Sequence, residues 1–460
     1  SENSPLWDKT FKQVVNISAA SVSSWNENTG FGPIGNNTIQ FTGKYDGNGY
    51  IIDSLSINRS DSSHQGFFGK TNGCTLVKLR LTNVSITGND NTGGLVGENV
   101  ASSISEGFTN GKITGSESVG GLIGKNLSSS IKQSSSSAEV AGGSYTGGLV
   151  GSNDSSPING CRSDAEVTGT VYTGVLVGYS YASTITHSYA YGNVHAGPRT
   201  GGLVGYADIS IITCSYNSST VVGADAVGGL VGETYHSDIN NSYNKGSVQG
   251  TAAVGGLIGN DLSSGINNCY SSSFVSGDSY IGGIIGVGDA ANCFWDKTIN
   301  STLDNSAGIG ITTNEMKSHS TYLNAGWDPG IWCINENYND GYPFLFWQNN
   351  LGAPLPVITE DKFADQVPKE FNLMQNSPNP FNPDTRIEFY ISNAAMVTLK
   401  VYDILGSEIA VLVNDERTPG RYTAYWNGKN NYGQTVSSGV YLYRITAGNY
   451  IETRKMNLVK

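Results

Sequence analysis

Charged residues are scarce in this sequence, since Asp, Glu, Lys and Arg make up only 14% of its 460 residues. No stretch reaches the roughly 18 consecutive apolar residues of a membrane-spanning helix. The five histidines have neither the spacing of an HExxH zinc motif nor that of a catalytic triad. We therefore expect no membrane span, no zinc site and no enzymatic activity.

Paired cysteines and a surplus of basic residues are also missing. None of the six cysteines belongs to a CxxC motif, so the sequence offers no redox or metal motif of that type. A Cys269–Cys293 or a Cys293–Cys333 disulfide stays open, and the alternative is that the thiols are small filling residues. The net charge of −12 argues against nucleic acid as a partner.

Glycine is abundant instead, and many of the 60 glycines recur in one short phrase, Gly-Gly-Leu-Val-Gly or a close variant. Its eight copies start at residues 93, 120, 147, 174, 201, 228, 255 and 282, always 27 residues apart. A fixed period of this length predicts a solenoid. The residues that define the repeat are Gly94, Leu95, Gly97, Gly121, Leu122, Gly124, Gly148, Leu149, Gly151, Gly202, Leu203, Gly205, Gly229, Leu230, Gly232, Gly256, Leu257 and Gly259.

Each 27-residue unit contains three short, β-branched apolar pieces separated by Ser, Asn, Thr and Gly. Such pieces are too short and too β-branched for helices. When coils stack about 4.8 Å apart, like residues lie on like residues, and no coil buries its inner face alone. The sequence therefore predicts an all-β parallel β-helix, or solenoid, with 27-residue coils, in which the glycine phrase is architectural.

The phrase, the segment from Phe41 to Ile52 and the strand from Leu79 to Asn83 together resemble the GLUG motif family. The resemblance covers roughly residues 40–350. It implies a right-handed parallel β-helix in secreted or surface bacterial proteins, found in adhesins and beside peptidase domains without being catalytic itself.

The regions around the repeats predict the remaining domain organisation. Thr312 and Glu315 form a capping box that should start a helix through about Leu323. Aromatic residues between Trp332 and Trp347 are expected to plug the C-terminal end of the solenoid, with a ligand-binding surface as the alternative. The expected segments are an N-terminal segment and cap (1–40), the solenoid (41–290), its C-terminal cap (291–350), a proline-containing linker (351–367) and a separate domain (368–460).

The last segment shows strong alternation of apolar and polar residues between turns, which predicts a small antiparallel, Ig-like β-sandwich. Its distinctive residues are Asn376, Pro378, Asn379, Pro380, Phe381, Asn382, Pro383, Gly439, Tyr441 and Lys455. Through them the segment resembles the type A C-terminal sorting domain of type IX secretion substrates. The resemblance implies export by the type IX machinery to the outer surface or medium of a Gram-negative bacterium.

One column of aromatic residues is a candidate for contacts with a ligand or partner. It consists of Tyr189, Tyr216, Tyr243 and Tyr270, one in each of four coils. Stacked tyrosines either hold the coils in register or present a surface for sugar rings or another protein. A short polar column of Asn99, Asn126 and Asn153 is most simply structural.

Acidic residues that follow the phrase in successive coils are a second candidate, namely Asp208, Glu233, Asp261 and Asp289. They either form a strip that binds a cation such as Ca²⁺ or belong to a solvated face. The solvated face is favoured because Lys125, Ser152 and Tyr179 follow the phrase in the same way. No cofactor is otherwise expected.

Together these features favour a non-catalytic extracellular structural protein. It would be either a fibre or sheath subunit that assembles with copies of itself, or an adhesin that binds a surface polysaccharide or a host or neighbouring cell surface. The alternative is a carbohydrate-binding or carbohydrate-cleaving β-helix, which rests on the tyrosine column and the acidic residues.

Overall fold

A computed structural model describes residues 6–301, 303, 307–335, 338–351, 371–417, 420–431 and 433–459. The chain forms two compact units, Ser1–Asn350 and Leu351–Lys460. The linker predicted at residues 351–367 lies, apart from Leu351, outside the described residues. No helix in the described ranges is long and apolar enough to cross a membrane.

The first unit is a parallel β-solenoid whose strands stack into four faces. Face 1 directly follows the glycine phrase and consists of Phe68–Asn72, Val96–Val100, Ile123–Leu127, Val150–Asp154, Val177–Tyr181, Val204–Asp208, Val231–Tyr235, Ile258–Leu262 and Ile285–Val287. Face 2 consists of Thr10–Lys12, Lys44–Asp46, Thr75–Val77, Ser103–Ser105, Ser130–Lys132, Ile158–Asn159, Thr184–Thr186, Ile211–Thr213, Asp238–Asn240 and Gly265–Asn267.

Face 3 carries two strands in most coils, and face 4 leads into the glycine phrase. Face 3 consists of Ile17–Ser18, Ile51–Asp53, Ser56–Asn58, Arg80–Thr87, Phe108–Thr114, Ser135–Ser136, Glu139–Ala141, Arg162–Ser163, Glu166–Thr168, Tyr189–Ala190, Asn193–His195, Tyr216–Asn217, Thr220–Val222, Tyr243–Asn244, Val248–Gln249, Tyr270–Ser271, Val275–Ser276, Phe294–Asp296 and Ile309–Ile311. Face 4 consists of Thr92–Gly93, Val119–Gly120, Ser144–Gly147, Val171–Gly174, Thr200–Gly201, Asp225–Gly228, Ala252–Gly255 and Ser279–Gly282.

The 27-residue coil is confirmed by the strand register, in which Ile131 lies beside Ile158 and Ile158 beside Ile185. The leucine of the phrase is fully buried, as Leu122 and Leu203 illustrate. Full burial of such a side chain stabilises the fold by roughly 1.5–3 kcal/mol. The core is therefore a set of apolar columns that run through the stacked coils.

Glycine is required most strictly at the first position of the phrase. A Cβ atom on Gly201 would lie 1.9 Å from the carbonyl oxygen of Val204, a distance that no side chain tolerates. The second position is less demanding, because one coil carries Val175 there and buries it completely. The phrase is thus a tight corner of the coil.

Polar side chains inside the coils are paired from one coil to the next. Asn99 donates from Nδ2 to Oδ1 of Asn126 at 2.8 Å, and Asn126 donates in the same way to Asn153 at 2.9 Å. At a nearby corner the hydroxyl of Ser129 accepts from the backbone N–H of Ser102 at 2.9 Å. These ladders satisfy buried polar groups, which explains why serine and asparagine recur between the apolar columns.

The parallel pairing also includes part of the N-terminal segment and cap (1–40), which the sequence analysis places before the solenoid. Thr10 lies beside Lys44, and Lys44 lies beside Thr75. Coils at this end are therefore longer than the regular coil, so the period of the glycine phrase does not reveal them. Two short turns follow Ser18, a 3₁₀ turn at Ala20–Ser24 and a turn at Trp25–Asn28 with left-handed dihedral angles.

The C-terminal cap contains two short helices, Thr313–Met316 and His319–Asn324, where the sequence predicts one. The capping box is confirmed, because the Thr312 hydroxyl accepts from the N–H of Glu315 and the Glu315 carboxylate accepts from the N–H of Thr312. Beyond the helices come the antiparallel strands Trp332–Cys333 and Phe344–Leu345 and the 3₁₀ turns Asn339–Gly341 and Phe346–Leu351.

The second unit is an antiparallel β-sandwich, as predicted. One sheet contains Asn372–Leu373, Thr385–Ile391 and Gly420–Trp426, and the other contains Ala395–Tyr402, Glu408–Arg417, Gly439–Ala447 and Tyr450–Leu458. Alternate residues of both sheets, such as Phe389, Trp426 and Tyr443, meet in one buried core. This burial accounts for the alternation seen in the sequence.

Candidate functional site

The tyrosine column on face 3 stacks as the sequence predicts. The ring centroids of Tyr189 and Tyr216 lie 5.1 Å apart, those of Tyr216 and Tyr243 4.9 Å, and those of Tyr243 and Tyr270 4.9 Å, with nearly parallel planes. All four side chains are nevertheless buried, with no more than 5% of any of them exposed. A free surface for a ligand is therefore not present on this column.

The tyrosines are covered by the aromatic segment of the C-terminal cap, residues 327–335 and 338–348, which we call the strap. Trp347 lies 5.9 Å from the ring of Tyr189 and donates from Nε1 to the carbonyl of Cys214 at 2.9 Å. The Tyr270 hydroxyl donates to the carbonyl of Pro343 at 2.6 Å. Most of the strap thus lies along the side of the solenoid and not over its end, which only Tyr342 reaches, where its hydroxyl donates to Asp296 at 2.6 Å.

The end of the solenoid is closed by other residues. Phe294–Asp296 pairs with Tyr270–Ser271 on one side and with Ile309–Ile311 on the other. The indole ring of Trp295 packs over Gly283 and Gly310. These glycines leave room for a large ring that the short coil could not otherwise accept.

The acidic residues that follow the phrase do not form a strip. Glu233 aligns with Tyr206, Asp261 with Thr234 and Asp208 with Tyr235, so the three carboxylates lie in three different columns. Glu233 is paired with Arg199 at 2.8 Å, and Asp261 accepts from Thr234 at 2.7 Å. Among the described residues, no three His, Cys, Asp or Glu side chains come together as a metal site.

Cys74, Cys161, Cys214, Cys269 and Cys293 are free thiols in this structure. Cys161, Cys269 and Cys293 are fully buried. Burial raises the pKa of the Cys161 thiol to about 12, which makes it a poor nucleophile. The buried cysteines therefore act here as small core residues.

A different surface emerges from a backbone feature that repeats once per coil. Just before the phrase, one residue in each coil has a left-handed conformation, which glycine and asparagine adopt most easily. Its φ angle is 53° at Asn91, 58° at Tyr145, 55° at Tyr172, 59° at Arg199 and 54° at Ala226. A left-handed backbone conformation does not favour tyrosine or arginine over glycine or asparagine. We therefore look for contacts of their side chains that explain why these residues occur there.

These side chains lie beside an outward-facing column of face 1, and together they form what we call the tyrosine–arginine patch. The patch consists of two columns, Tyr145, Tyr172 and Arg199 in one and Tyr179, Tyr206 and Glu233 in the other. Each residue of the first column contacts the residue 34 positions later in the second. The four tyrosines and Arg199 are partly exposed at the surface of the solenoid, whereas Glu233 is buried.

Contacts within the patch are close in both directions. Tyr145 and Tyr172 stack at 5.3 Å, and Tyr172 packs against Tyr206 at 5.4 Å. The Arg199 guanidinium lies over the Tyr172 ring at 5.2 Å and donates from Nε to Glu233 at 2.8 Å. These contacts hold the rings in fixed positions, which lowers the entropy that a ligand would have to offset.

The polar edge of the patch remains available. The hydroxyls of Tyr145, Tyr172 and Tyr206 hydrogen-bond to no other described residue, and the Tyr179 hydroxyl donates to Asp208 at 3.3 Å. Burial of the rings raises the pKa of Tyr206 to about 12 and also raises the pKa of Tyr145. The phenols of Tyr206 and Tyr145 therefore stay neutral at ordinary pH and keep a proton to donate.

Comparison with known proteins shows which families parts of this chain are similar to. Residues 223–249, one coil, match the GLUG motif, and residues 376–450 match the FlgD Ig-like domain. The chain is thus a β-solenoid in which one coil is similar to the GLUG motif, followed by a domain similar to the FlgD Ig-like domain. A stretch of 89 residues, 19% of this chain, is 40% identical to halomucin from Haloquadratum walsbyi but spans only 1% of that protein.

Two solved structures are similar over part of the chain. Dimeric latent PorU from Porphyromonas gingivalis matches 20% of this chain and 9% of its own, with 17% identity and a TM-score of 0.18. An IgA1 protease matches 68% of this chain and 22% of its own, with 16% identity and a TM-score of 0.34. These likenesses carry no argument about activity.

The distinctive residues of the C-terminal unit have structural roles within the sandwich. The N–H of Asn376 donates to the Tyr443 hydroxyl at 2.8 Å, and its side chain bonds to Thr385 and Pro378. Phe381 packs on Trp426 at 5.6 Å, as does Tyr441 at 5.1 Å. The carbonyl of Lys455 accepts from Gln375 at 2.8 Å, which ties the proline-rich start of the unit to its last strand.

Sequence reasoning missed the patch, although one signal for it was present. Tyr145 and Tyr172 are one repeat apart, and so are Tyr179 and Tyr206, which places each pair in one column. What the period does not reveal is that the two columns are neighbours, because that depends on how the coil turns between face 4 and face 1.

Proposed function

We propose that this protein is a non-catalytic adhesin, secreted or displayed on the cell surface, that binds through the tyrosine–arginine patch. The carrying observation is the patch itself, a fixed set of four half-buried tyrosines at the surface of the solenoid. The GLUG match and the resemblance that it supports favour an extracellular setting. The internal ladders give a rigid scaffold on which such a surface keeps its shape.

Export by the type IX machinery is the second part of the proposal. It rests on the resemblance of residues 368–460 to a sorting domain and on the compact sandwich that these residues form. Replacing Phe381 with Asp should unfold the proline-rich start of this unit and retain the protein inside a type IX-competent Gram-negative host. Secretion of this variant at the wild-type level would contradict the sorting role.

Adhesion can be tested with the purified full chain labelled with a fluorophore. We expect it to bind Gram-negative cells and their extracellular matrix, and we expect Tyr172→Asn to weaken this binding. Asn is a suitable replacement because Asn91 occupies the same left-handed column. Tyr280→Asn is the matched control, since Tyr280 has the same backbone conformation but is 70% exposed and lies outside the patch. Equal binding by both variants would contradict the role of the patch.

Head-to-tail assembly into a fibre is the second candidate. The terminal strands Thr10–Lys12 at one end and Ser279–Gly282 at the other each pair on one side only within the described residues. Apolar side chains are exposed near both ends, including Val14 at 73% and Tyr280 at 70%. Electron microscopy of concentrated protein should show filaments if these ends meet, and dispersed single particles would exclude this candidate.

A further inference from the structure

We infer that Cys269 and Cys293 form a disulfide bond that ties the last regular coil to the closing strand, Phe294–Asp296. The inference goes beyond the adhesin role and takes from it only the extracellular setting, because structural disulfides persist in oxidising compartments. In the reduced state that the structure shows, both cysteines are fully buried core residues.

The two cysteines lie beside each other in neighbouring coils. The register pairs Tyr270 with Phe294, and the Phe294 N–H donates to the carbonyl of Cys269 at 3.0 Å. The residues just before this pair, Cys269 and Cys293, are therefore neighbours as well, with Cα atoms about 4.8 Å apart at the spacing of parallel strands. That distance lies within the range of roughly 4.4–6.8 Å that a disulfide spans.

Both sulfur atoms lie inside the coil and are turned the same way. Each thiol donates to the carbonyl two residues earlier, Cys269 at 3.1 Å and Cys293 at 3.3 Å. The Cys293 sulfur also lies 3.8 Å from the carbonyl oxygen of Ile266, which belongs to the coil of Cys269, so it leans towards that coil. Cys333, the alternative partner of Cys293, instead lies in the strap, in a strand that pairs with Phe344–Leu345.

The inner column that contains both residues is mostly serine. Each serine hydroxyl accepts a backbone N–H from the preceding coil, as Ser242 does from Ser215 at 3.2 Å. A thiol forms weaker hydrogen bonds than a hydroxyl, so cysteine brings no advantage to this ladder. Cys161 stands alone between two serines, whereas the two cysteines at the end of the column are consecutive. The column runs through Ser134, Cys161, Ser188, Ser215, Ser242, Cys269 and Cys293.

Oxidation has to precede the closing of the last coil. Burial, and after it contact with the Cys293 thiol, raises the pKa of the Cys269 thiol well above its ordinary value, so the folded coil holds little thiolate to attack an oxidant. In the open coil, one cysteine thiolate attacks the disulfide of an oxidised thiol compound such as glutathione, and a mixed disulfide forms. The second cysteine then displaces the bound thiol. The pair thereby loses two protons and two electrons, and the electrons reduce the oxidant to two thiols.

The bond can be detected by mass spectrometry of the full chain, refolded from denaturant with oxidised glutathione and alkylated under denaturing conditions without reductant. No Lys or Arg lies between Lys245 and Lys297, so both cysteines belong to one tryptic peptide, residues 246–297. We expect this peptide to escape alkylation and to be lighter than its reduced form by the mass of two hydrogen atoms. Cys161 should be alkylated, and Cys269→Ser should leave Cys293 alkylated.

Hydrogen exchange tests what the bond does. The oxidised wild type should exchange the amides of Phe294–Asp296 more slowly than Cys269→Ser, on the order of a hundredfold, because the bond restricts the opened coil. Serine suits this position because it fills most of the same column. Cys161→Ser, which also removes a buried thiol, is the matched control and should exchange as the wild type does.

Alkylation of both cysteines in the 246–297 peptide, or a link from either of them to Cys333, would overturn the inference. Equal exchange of the closing strand in the oxidised wild type and in Cys269→Ser would overturn the role of the bond in holding that strand. Refolding in glutathione requires neither export nor a binding partner. A failure here would therefore leave the adhesin and export proposals standing, and their failure would leave this result unchanged.

Discussion

Removal of one buried amide should reveal how strongly the polar ladder holds the coils together. Asn126 is fully buried and lies in the middle of the ladder. It accepts from Asn99 at 2.8 Å and donates to Asn153 at 2.9 Å. Asn126→Ala would therefore leave one buried donor and one buried acceptor without partners.

The expected loss of folding free energy follows from these two unpaired amide groups. An unsatisfied buried polar group costs about 1–3 kcal/mol, so the two orphans together should cost roughly 2–6 kcal/mol. Thr71 provides a matched comparison, because it lies at the end of the same ladder and its hydroxyl donates to Asn99 at 2.7 Å. Thr71→Val keeps the shape and leaves a single acceptor unpaired, so its cost should be about 1–3 kcal/mol.

Native-state hydrogen exchange is the suitable assay, because a solenoid can open locally and a single unfolding transition need not describe it. The opening free energy of amides in the strands Val96–Val100 to Val150–Asp154 should fall by about twice as much in Asn126→Ala as in Thr71→Val. Amides of the C-terminal sandwich should not change. Equal losses in the two variants, or a loss below about 1 kcal/mol for Asn126→Ala, would refute the view that the ladder is held by satisfied amides.

Three further substitutions test other parts of the solenoid. Hydrogen bonds from His64, and then Lys70, lower the pKa of Glu98 to about 2. The ionised Glu98 carboxylate should therefore stabilise the fold by about 3 kcal/mol above pH 4.5, and this stabilisation should be lost as the pH falls towards 2. Acid-unfolding curves of Glu98→Gln should lack this loss. Gly201→Ala places a Cβ 1.9 Å from a carbonyl oxygen and should lower the melting temperature clearly, whereas Gly107→Ala, whose nearest neighbour is a side-chain methyl at 3.3 Å, should not. Trp347→Ala should uncover the tyrosine column and return the pKa of Tyr189 from about 12 towards 10 in an alkaline titration.

The period of the glycine phrase was sufficient to predict the solenoid and its register. Residues one period apart meet in neighbouring coils, so the columns of Ile131 and Ile158 and of Tyr216 and Tyr243 could be written down from the sequence. The prediction worked because each coil repeats the same local chemistry. It became less accurate where the coil length changes, as it does before Phe68.

The position of the strap could not be predicted in the same way. Its sequence indicates only that aromatic residues such as Trp332 and Trp347 need apolar surroundings. Two such surroundings were available, the open end of the solenoid and the outer tyrosine column. The column was the better partner because Tyr243 and Tyr270 offer both ring faces and hydroxyls, to which Gln348 and Pro343 bond. Nothing local in the strap decides between these two partners.

The tyrosine–arginine patch shows what a single period leaves undetermined. The repeat places Tyr145 on Tyr172, but the pairing of Tyr145 with Tyr179 depends on a longer offset that combines one coil with one corner. That corner is the glycine phrase, which brings face 4 and face 1 side by side. Glycines such as Gly201 have no side chain that could contact a ligand, but they determine which outer columns become neighbours. A substitution at this corner should weaken binding at the patch even where the tyrosines themselves are intact.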